Sequence, residues 1–303
     1  MAQVEVKAHG EVSGYFVIST DKRGEIARFP NLITNGGLDR MGGSSDWLSW
    51  CQVGSGSTAP NFNDSGLVNR IAASETRQAS TAGAQSAEPY FCWRRNTYRF
   101  AQGVAAGNLS EVGVGWASTG SLFSRALILD AQGQPTTITI QSDETLDVTY
   151  EFRYYPKTTD DTGQVVLTGN IGGTYSWIFR ALGVTSNDPN IGWNIGTVGT
   201  MASDLGNSIS NLFFDGYVGA ITSGPSGQSS SSSALAAGYS AGSHELAVTI
   251  SASLDQGNFA AGIGALRAKM GIGTYQIGFT PKIPKTANDI LSIVVKHSWA
   301  RRP

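Results

Sequence analysis

The side chains that could act as a general base are few in this sequence. The three histidines are His9, His244 and His297, and nucleophilic catalysis needs a serine or cysteine activated by a histidine that a carboxylate orients. The closest approach to a nucleophile elbow, residues 53 to 57 (VGSGS), lacks the Gly-x-Ser-x-Gly spacing and runs into Thr-Ala-Pro, a loop sequence. We therefore predict no catalytic residues and no enzymatic activity.

Paired carboxylates and metal ligands are the next candidates for chemistry. Adjacent acidic residues occur at Asp143-Glu144 and Asp160-Asp161, both in turn-like sequence, where such side chains cap backbone amides. Glycoside cleavage would require two carboxylates about 5 to 10 Å apart, so a glycan-degrading protein stays an alternative. The sequence has no close Cys and His pairs for zinc and no Asp-x-Asp-x-Asp-Gly calcium loop. We predict neither a metal nor a cofactor.

Aromatic residues are the stronger candidates for a binding function. Trp177, Trp193, Tyr217 and Tyr239 lie among Gly, Asn, Ser and Asp residues. Flat aromatic rings provide surfaces on which sugar rings pack, and the surrounding amides and hydroxyls match the hydrogen bonds of a neutral polyhydroxylated ligand. These four residues are the predicted ligand-binding residues. The alternative is that they are ordinary core aromatics.

A basic and aromatic stretch from Trp93 to Phe100 could serve a different purpose. Trp, Tyr and Arg are enriched at the centres of protein interfaces, and the formal net charge of −2 provides no basic field for nucleic acid. We predict that Trp93, Arg95 and Tyr98 lie at a subunit interface, with plain sheet residues as the alternative, and that nucleic acid is not a partner.

Short strands must position all of these side chains. Runs rich in Val, Ile, Thr, Tyr and Phe alternate with polar residues and are interrupted every eight to twelve residues by Gly, Asn, Asp or Pro, which predicts an all-β fold. The predicted strands are Val12–Thr20, Trp47–Val53, Tyr90–Phe100, Ser110–Trp116, Phe123–Leu129, Thr137–Gln141 and Leu146–Tyr155. Only two short helices are predicted, over Gly36–Met41 and Gly262–Met270.

The 303 residues divide near a polar segment at residues 156 to 164, which predicts two β-sandwich-like domains, 1–157 and 158–303. Each half ends alike: residues 142 to 154 and 287 to 299, offset by 145, both contain an acidic turn, a shared leucine and a strand that finishes in a large aromatic residue. This similarity predicts two copies of one sandwich design. Coincidence among similar strands is the alternative.

Composition and the N-terminal sequence predict the cellular compartment in which the chain is made. Only 15% of residues are charged, 38 are glycine, and the isoelectric point is about 5.9. Charges at Glu5, Lys7 and Glu11 interrupt the stretch where a secretory signal would need an apolar run, and apolar runs are too short to span a bilayer. We predict synthesis in the cytoplasm, no membrane insertion, and two free buried thiols at Cys51 and Cys92.

Four strings in the first half, together and in this order, resemble tail-associated structural proteins of tailed bacteriophages, a class that includes baseplate, tail-fibre and receptor-binding components. The strings run from Phe29 to Asp39, from Cys51 to Pro60, from Leu109 to Trp116, and from Leu122 to Asp130 leading into the strand that ends at Tyr154. The resemblance covers roughly residues 10 to 155.

This resemblance implies a homotrimer located in the virion tail, with an N-terminal domain that attaches to other tail or baseplate proteins. Residues 158–303 would then be the host-contact domain, whose partner would be a bacterial surface glycan or a pilus. The implied function is host attachment by noncovalent, multivalent contacts. A purely architectural tail-tip, collar or capsid-surface protein without an external ligand is the alternative.

Overall fold

The computed structural model describes residues 2–44, 46–195 and 211–303, and β-strands dominate these residues. Contacts divide the chain into two units. We call residues 12–82, 93–154 and 300–303 the N-unit, and residues 1–11, 83–92 and 155–299 the C-unit. The predicted boundary after residue 157 lies close to the unit boundary between Tyr154 and Tyr155. Residues 1–11 and 83–92, which the prediction placed in the first domain, are grouped with the C-unit.

The first twelve strands and the helix are as follows: β1 Ala2–Thr20, β2 Gly24–Pro30, β3 Leu32–Ile33, α1 Asn35–Gly43, β4 Trp50–Gly54, β5 Arg70–Ser74, β6 Arg77–Ala84, β7 Cys92–Phe100, β8 Gly107–Leu109, β9 Glu111–Gly115, β10 Leu122–Leu127, β11 Ile138–Ile140 and β12 Leu146–Pro156. The remaining strands are β13 Asp161–Leu167, β14 Gly173–Leu182, β15 Leu212–Phe214, β16 Ser229–Ser231, β17 Ser233–Ala236, β18 Glu245–Ala252, β19 Ile263–Met270, β20 Gly273–Ile283 and β21 Leu291–Arg301. A short 3-10 helix at Gly169–Ile171 separates β13 from β14.

The N-unit is built from two antiparallel sheets. One has the order β2-β1-β12-β7-β6 and the other β3-β10-β9-β4-β5, with a small ribbon of β8 and β11. Its core is aromatic: the Trp47 ring centroid lies 5.2 Å from those of both Phe123 and Phe152. Edge-to-face and tilted packing of this kind adds to the free energy gained from burial.

The C-unit also contains two sheets. The first half of β1 lies beside β21 in the order β17-β18-β21-β1, and the second sheet has the order β13-β14-β20-β19-β15-β16. Val4, Val6 and Ala8 of β1 are buried here, whereas Glu5 pairs with Lys296 on the opposite face. The alternation is the period-2 pattern of a half-buried strand.

The two units share one strand topology. In the N-unit, β4 pairs with β5 and β9, β9 also pairs with β10, and β7 pairs with β6 and β12. In the C-unit, β15 takes the place of β4 and pairs with β16 and β19, and β19 also pairs with β20. There β18 takes the place of β7 and pairs with β17 and β21. Seven strands of each unit therefore repeat the same pairing in the same chain order, and the N-unit adds the ribbon of β8 and β11 between them. The last strands, β12 and β21, begin at Leu146 and Leu291, which gives the offset of 145 found in the sequence.

The predicted helix near residue 36 is present as α1. Thr34 is its N-cap, and its hydroxyl accepts a hydrogen bond from the Gly37 amide at 2.8 Å. The predicted helix over Gly262–Met270 is wrong, because these residues form β19. Nearly all of β19 is buried on both faces, so its apolar residues follow no two-residue alternation that would have identified a strand.

A buried ion cluster organises one long loop of the N-unit. Arg125, which is 1% exposed, donates to Glu111 at 2.9 Å and to Asp64 at 2.6 Å. The Glu111 carboxylate also accepts hydrogen bonds from the backbone amides of Gly56 and Asn69 at 2.9 and 2.8 Å. This cluster fixes the loop between β4 and β5, because every donor named here is satisfied by a carboxylate, and Glu111 is fully buried.

Candidate functional site

Trp177 lies in a surface groove of the C-unit. It belongs to β14, where it is paired with Gly163 of β13 and Phe279 of β20, and its side chain is half-buried. A β-carbon on Gly163 would lie 2.4 Å from the Trp177 ring, so the missing side chain at Gly163 makes room for the indole. The ring therefore rests on the backbone of the edge strand.

The groove beside Trp177 has a volume of about 480 Å³ and is uncharged. Its polar lining comes from exposed side chains on three adjacent strands: Thr162, Gln164, Ser176 and Thr280. The strand register puts these four side chains on one face of the sheet and the Trp177 side chain, with Gly163 and Phe279, on the other face. Hydroxyl and amide groups can recognise a neutral polyol, because each sugar hydroxyl can donate and accept a hydrogen bond. Trp177 is the predicted ligand-binding residue that borders this groove, but its indole ring does not lie among the polar groups.

Trp193 lies in the core and not at a surface groove. Its side chain is fully buried, its Nε1 donates to the Leu182 carbonyl at 2.8 Å, and its ring meets Tyr275 edge-on at 5.2 Å. A β-carbon on Gly273 would lie 2.2 Å from the Trp193 ring, so this indole is a tightly packed core residue. The position corrects the prediction that Trp193 contacts a ligand.

The two predicted tyrosines lie in different surroundings. Tyr217 is 54% exposed, and the Lys282 Nζ lies 4.9 Å from its ring centroid. Tyr239 is half-buried and stacks on Trp299 with centroids 5.8 Å apart, while its hydroxyl accepts a hydrogen bond from the His244 amide at 3.3 Å. The four predicted ligand-binding residues therefore do not surround one ligand position.

A second surface lies on the N-unit, on the outer face of the sheet formed by β1, β12 and β7. Its members are basic or aromatic side chains grouped around one carboxylate. We call this the Glu151 surface, and it consists of Tyr15, Arg28, Trp93, Arg95, Glu151 and Arg153. Trp93 and Arg95 were predicted as interface residues. The others were missed, although outward positions alternate along β1 and β12 as they do along β7.

The Glu151 carboxylate holds this surface together. Its side chain is only 1% exposed, and it accepts hydrogen bonds from the Tyr15 hydroxyl at 2.7 Å, from Arg153 Nε at 2.6 Å and from Arg95 Nε. Burial opposes the ionisation of Glu151, but the hydrogen bonds from Tyr15, Arg153 and Arg95 outweigh it, so the pKa of this carboxyl is lowered. The carboxylate is therefore charged at neutral pH and orients the groups around it.

The arginines of the Glu151 surface also stack on aromatic rings. The guanidinium carbon of Arg95 lies 4.7 Å from the Trp93 ring centroid, and those of Arg153 and Arg28 lie 4.8 and 5.4 Å from the Tyr15 centroid. Cation–π contacts of this kind hold long side chains in fixed conformations. The surface is thus pre-ordered for contact with another molecule.

Tyr98, the third predicted interface residue, points into the core and not to the surface. It is fully buried, its hydroxyl donates to the Leu48 carbonyl, and burial raises the pKa of its phenol. Along β7, Cys92, Arg94, Asn96, Tyr98 and Phe100 alternate inward. Tyr98 is therefore a core residue, which corrects the prediction for this position, whereas half-buried Trp93 and exposed Arg95 remain on the surface.

The groups considered for catalysis have structural partners. The His9 ring bonds to the Ser298 hydroxyl at 2.9 Å, and burial lowers the pKa of His297 to about 3. The adjacent carboxylates are all ion-paired: Asp143 with Lys22, Glu144 with Arg23, Asp160 with Arg180, and Asp161 with Lys157. These pairs lie in turns and at strand starts.

Cys51 and Cys92 are free, buried thiols, as predicted, and burial raises the pKa of each. Within residues 2–44, 46–195 and 211–303, no group of three or more His, Cys, Asp or Glu side chains could hold a metal ion. No helix in the same described ranges is long and apolar enough to cross a bilayer.

Comparison of the chain with family models, with curated proteins and with solved structures finds no match.

Proposed function

We propose that this chain is a structural protein of a bacteriophage tail or baseplate that helps to attach the particle to its host by noncovalent, multivalent contacts. Support comes from the resemblance of residues 10 to 155 to tail-associated proteins and from the all-β architecture of two sandwich-like units. The observation that carries the host-contact part of the proposal is the uncharged groove that Thr162, Gln164, Ser176 and Thr280 line.

The groove favours a neutral glycan over a charged or apolar ligand. Its polar groups are hydroxyls and an amide, so a charged ligand would find no counter-ion there, and an apolar ligand would leave these groups unpaired. The groove lies at an open sheet edge on β13, where an extended sugar chain can reach these polar groups without entering a deep cavity. A single such contact is weak, and repeated copies on one particle supply the avidity that attachment needs.

The Glu151 surface supplies the self-association that multivalency requires. Trp, Tyr and Arg dominate the energetics of protein interfaces, and here Tyr15, Trp93 and Arg95 are held in fixed conformations around a charged carboxylate. We assign this surface to contacts between copies of the chain in a homotrimer or with other tail or baseplate proteins. The chain would be made in the host cytoplasm and located in the virion tail.

A purely architectural protein is the second candidate, and the Glu151 surface favours it, because this surface suits protein partners and requires no external ligand. An architectural subunit would assemble with tail proteins and bind no bacterial surface. A glycan-degrading role is less well supported, since Asp143, Glu144, Asp160 and Asp161 are all engaged in ion pairs.

Two measurements test the proposal. Light scattering after size exclusion should give a concentration-independent mass of about three chains of 31.9 kDa each, and a stable monomer would contradict the self-association. Binding of the purified oligomer to immobilised bacterial polysaccharides should then be lost on Trp177→Ala.

The matched control for the binding test is Trp116→Ala, which removes another half-buried indole, one that stacks on Arg40 in the N-unit. We expect the unchanged protein to bind at least one polysaccharide. This binding should be at least tenfold weaker for Trp177→Ala and unchanged for Trp116→Ala. No binding to any polysaccharide, with assembly intact, would refute host contact through this groove and leave the architectural role.

A further inference from the structure

The shared topology of the two units places two acidic turns in equivalent positions, immediately before β12 and β21. In the N-unit the Glu144 amide donates to the Gln141 carbonyl at 3.1 Å, and the Gln141 amide donates to the Glu144 carboxylate at 2.8 Å. In the C-unit Asp289 and Thr286 make the same two bonds at 3.1 and 3.0 Å. The turns are therefore structural counterparts, offset by the same 145 residues.

In the N-unit an arginine covers the carboxylate of this turn. Arg23 donates to both Glu144 oxygens, at 2.6 and 2.8 Å, and its Nη2 also donates to the Thr139 carbonyl at 2.9 Å. The Glu144 side chain is left only 2% exposed. This bidentate pair occupies the space between the turn and the β1–β2 hairpin.

In the C-unit a shorter residue occupies the corresponding place. The hairpin between β13 and β14 contains Gly169, which lies 145 residues after Gly24 of the β1–β2 hairpin and has a similar positive φ, 80° against 69°. Thr168 stands 145 residues after Arg23, so the C-unit has a short side chain where the N-unit has the arginine. Thr286 lowers the pKa of the Asp289 carboxyl, and the nearby Asn170 side chain adds to this shift. The space that a longer side chain would fill is an open pocket of about 350 Å³.

The pocket offers a mixture of polar and apolar contacts. Its lining includes Thr168, Asn170, Leu254, Asn288, Asp289 and Ile290. Leu254 and Ile290 are 50% and 39% exposed, so the pocket has an apolar wall beside two side-chain amides and a carboxylate. Such a combination binds the C–H faces of a sugar ring together with its hydroxyls.

Charge excludes the simplest alternative, a cationic ligand that replaces the missing arginine. Lys285, which is 2% exposed, lies close enough to Asp289 to interact electrostatically and donates to the Asn258 side chain at 2.9 Å. The negative charge of Asp289 is therefore already balanced within the protein. A free cation would therefore gain little from binding at this carboxylate.

We propose that the pocket between the β13–β14 hairpin and the Thr286–Ile290 turn is a binding site for a neutral monosaccharide unit, with Asp289, Asn170 and Asn288 bonding its hydroxyls. This site is distinct from the Trp177 groove, and the inference does not rest on the proposed role in a phage tail. A ligand of this size making a few hydrogen bonds binds with a millimolar dissociation constant.

The test is saturation-transfer difference NMR on the full chain with four probes: the methyl glycosides of glucose, galactose and mannose, and N-acetylglucosamine. Asn170→Arg adds a long side chain to the lining of the pocket, so it should fill and close the pocket. Asn190→Arg is the matched control, because it adds the same charge in an exposed turn of the C-unit outside the pocket.

We expect at least one sugar to bind the unchanged protein, with at least tenfold weaker binding for Asn170→Arg and no change for Asn190→Arg. Trp177→Ala should keep this signal, which separates the pocket from the groove. Absence of binding for all four sugars would overturn the inference, as would equal binding by Asn170→Arg. Circular dichroism establishes that each variant is folded.

Discussion

The burial of His297 predicts a specific loss of stability in mild acid. Its ring is 1% exposed and lies between Tyr275 and Trp299, at centroid distances of 5.8 and 6.3 Å. Burial, with a smaller repulsion from His9, lowers the pKa of His297 from 6.5 to about 3. The folded protein therefore keeps this imidazole neutral at pH values where the unfolded chain protonates it.

The sign and size of the effect follow from proton linkage. Between pH 6.5 and pH 3 the unfolded chain binds one more proton at this site, so the contribution of His297 is fully present above pH 6.5 and is lost as the pH falls. From pH 7 to pH 5 the free energy of unfolding should fall by about 2 kcal/mol on account of this one residue.

Urea denaturation of the unchanged protein and of His297→Phe at pH 7 and pH 5, followed by circular dichroism, measures this loss. The phenylalanine variant cannot titrate, so its free energy of unfolding should fall by about 2 kcal/mol less than that of the unchanged protein. His244→Asn, which removes a half-buried histidine from a turn with positive φ, serves as the control. Parallel losses in the unchanged protein and His297→Phe would refute the reasoning.

Two further substitutions test other features of the fold. Glu111→Ala should cost about 3–5 kcal/mol in urea denaturation, because it leaves buried Arg125 without its main partner, whereas Glu25→Ala at an exposed ion pair should change the free energy of unfolding little. A loss of similar size in both would contradict this ranking. Gly163→Ala should displace the Trp177 ring, which a β-carbon would approach to 2.4 Å, and should weaken polysaccharide binding as Trp177→Ala does while the far-ultraviolet spectrum stays unchanged. Retained binding would show that the contact between the indole and Gly163 of β13 does not matter for polysaccharide binding.

The all-β class, the short helix after Thr34 and the 145-residue offset were all predictable, because alternation and turn chemistry are local properties of the sequence. Of these three predictions, the offset says most about the architecture, because β12 and β21 occupy the same place in the two units. The strand β19 was not recognisable as such. A strand buried on both faces lacks the alternation that distinguishes it from a helix.

The candidate sites were predicted less well, because residue type alone does not separate a surface aromatic from a core aromatic. Trp177 and Trp193 lie in similar Gly-rich and Asn-rich sequence, yet one rests on Gly163 at a sheet edge and the other fills the space beside Gly273. The pocket at Asp289 could not be anticipated at all. It depends on Thr168 standing where the N-unit has Arg23, and that correspondence requires the topology.

The pairing of β1 with β21 has a consequence for how the protein is made. His9 and Ser298 are hydrogen-bonded partners separated by 289 positions, so residues of β1 pair with residues that are synthesised much later. At about 5–20 residues per second, the interval between them is roughly 15–60 s. During that time Val4, Val6 and Ala8 have no completed C-unit to cover them, and chains that stop short of β21 leave this apolar strand edge available for aggregation.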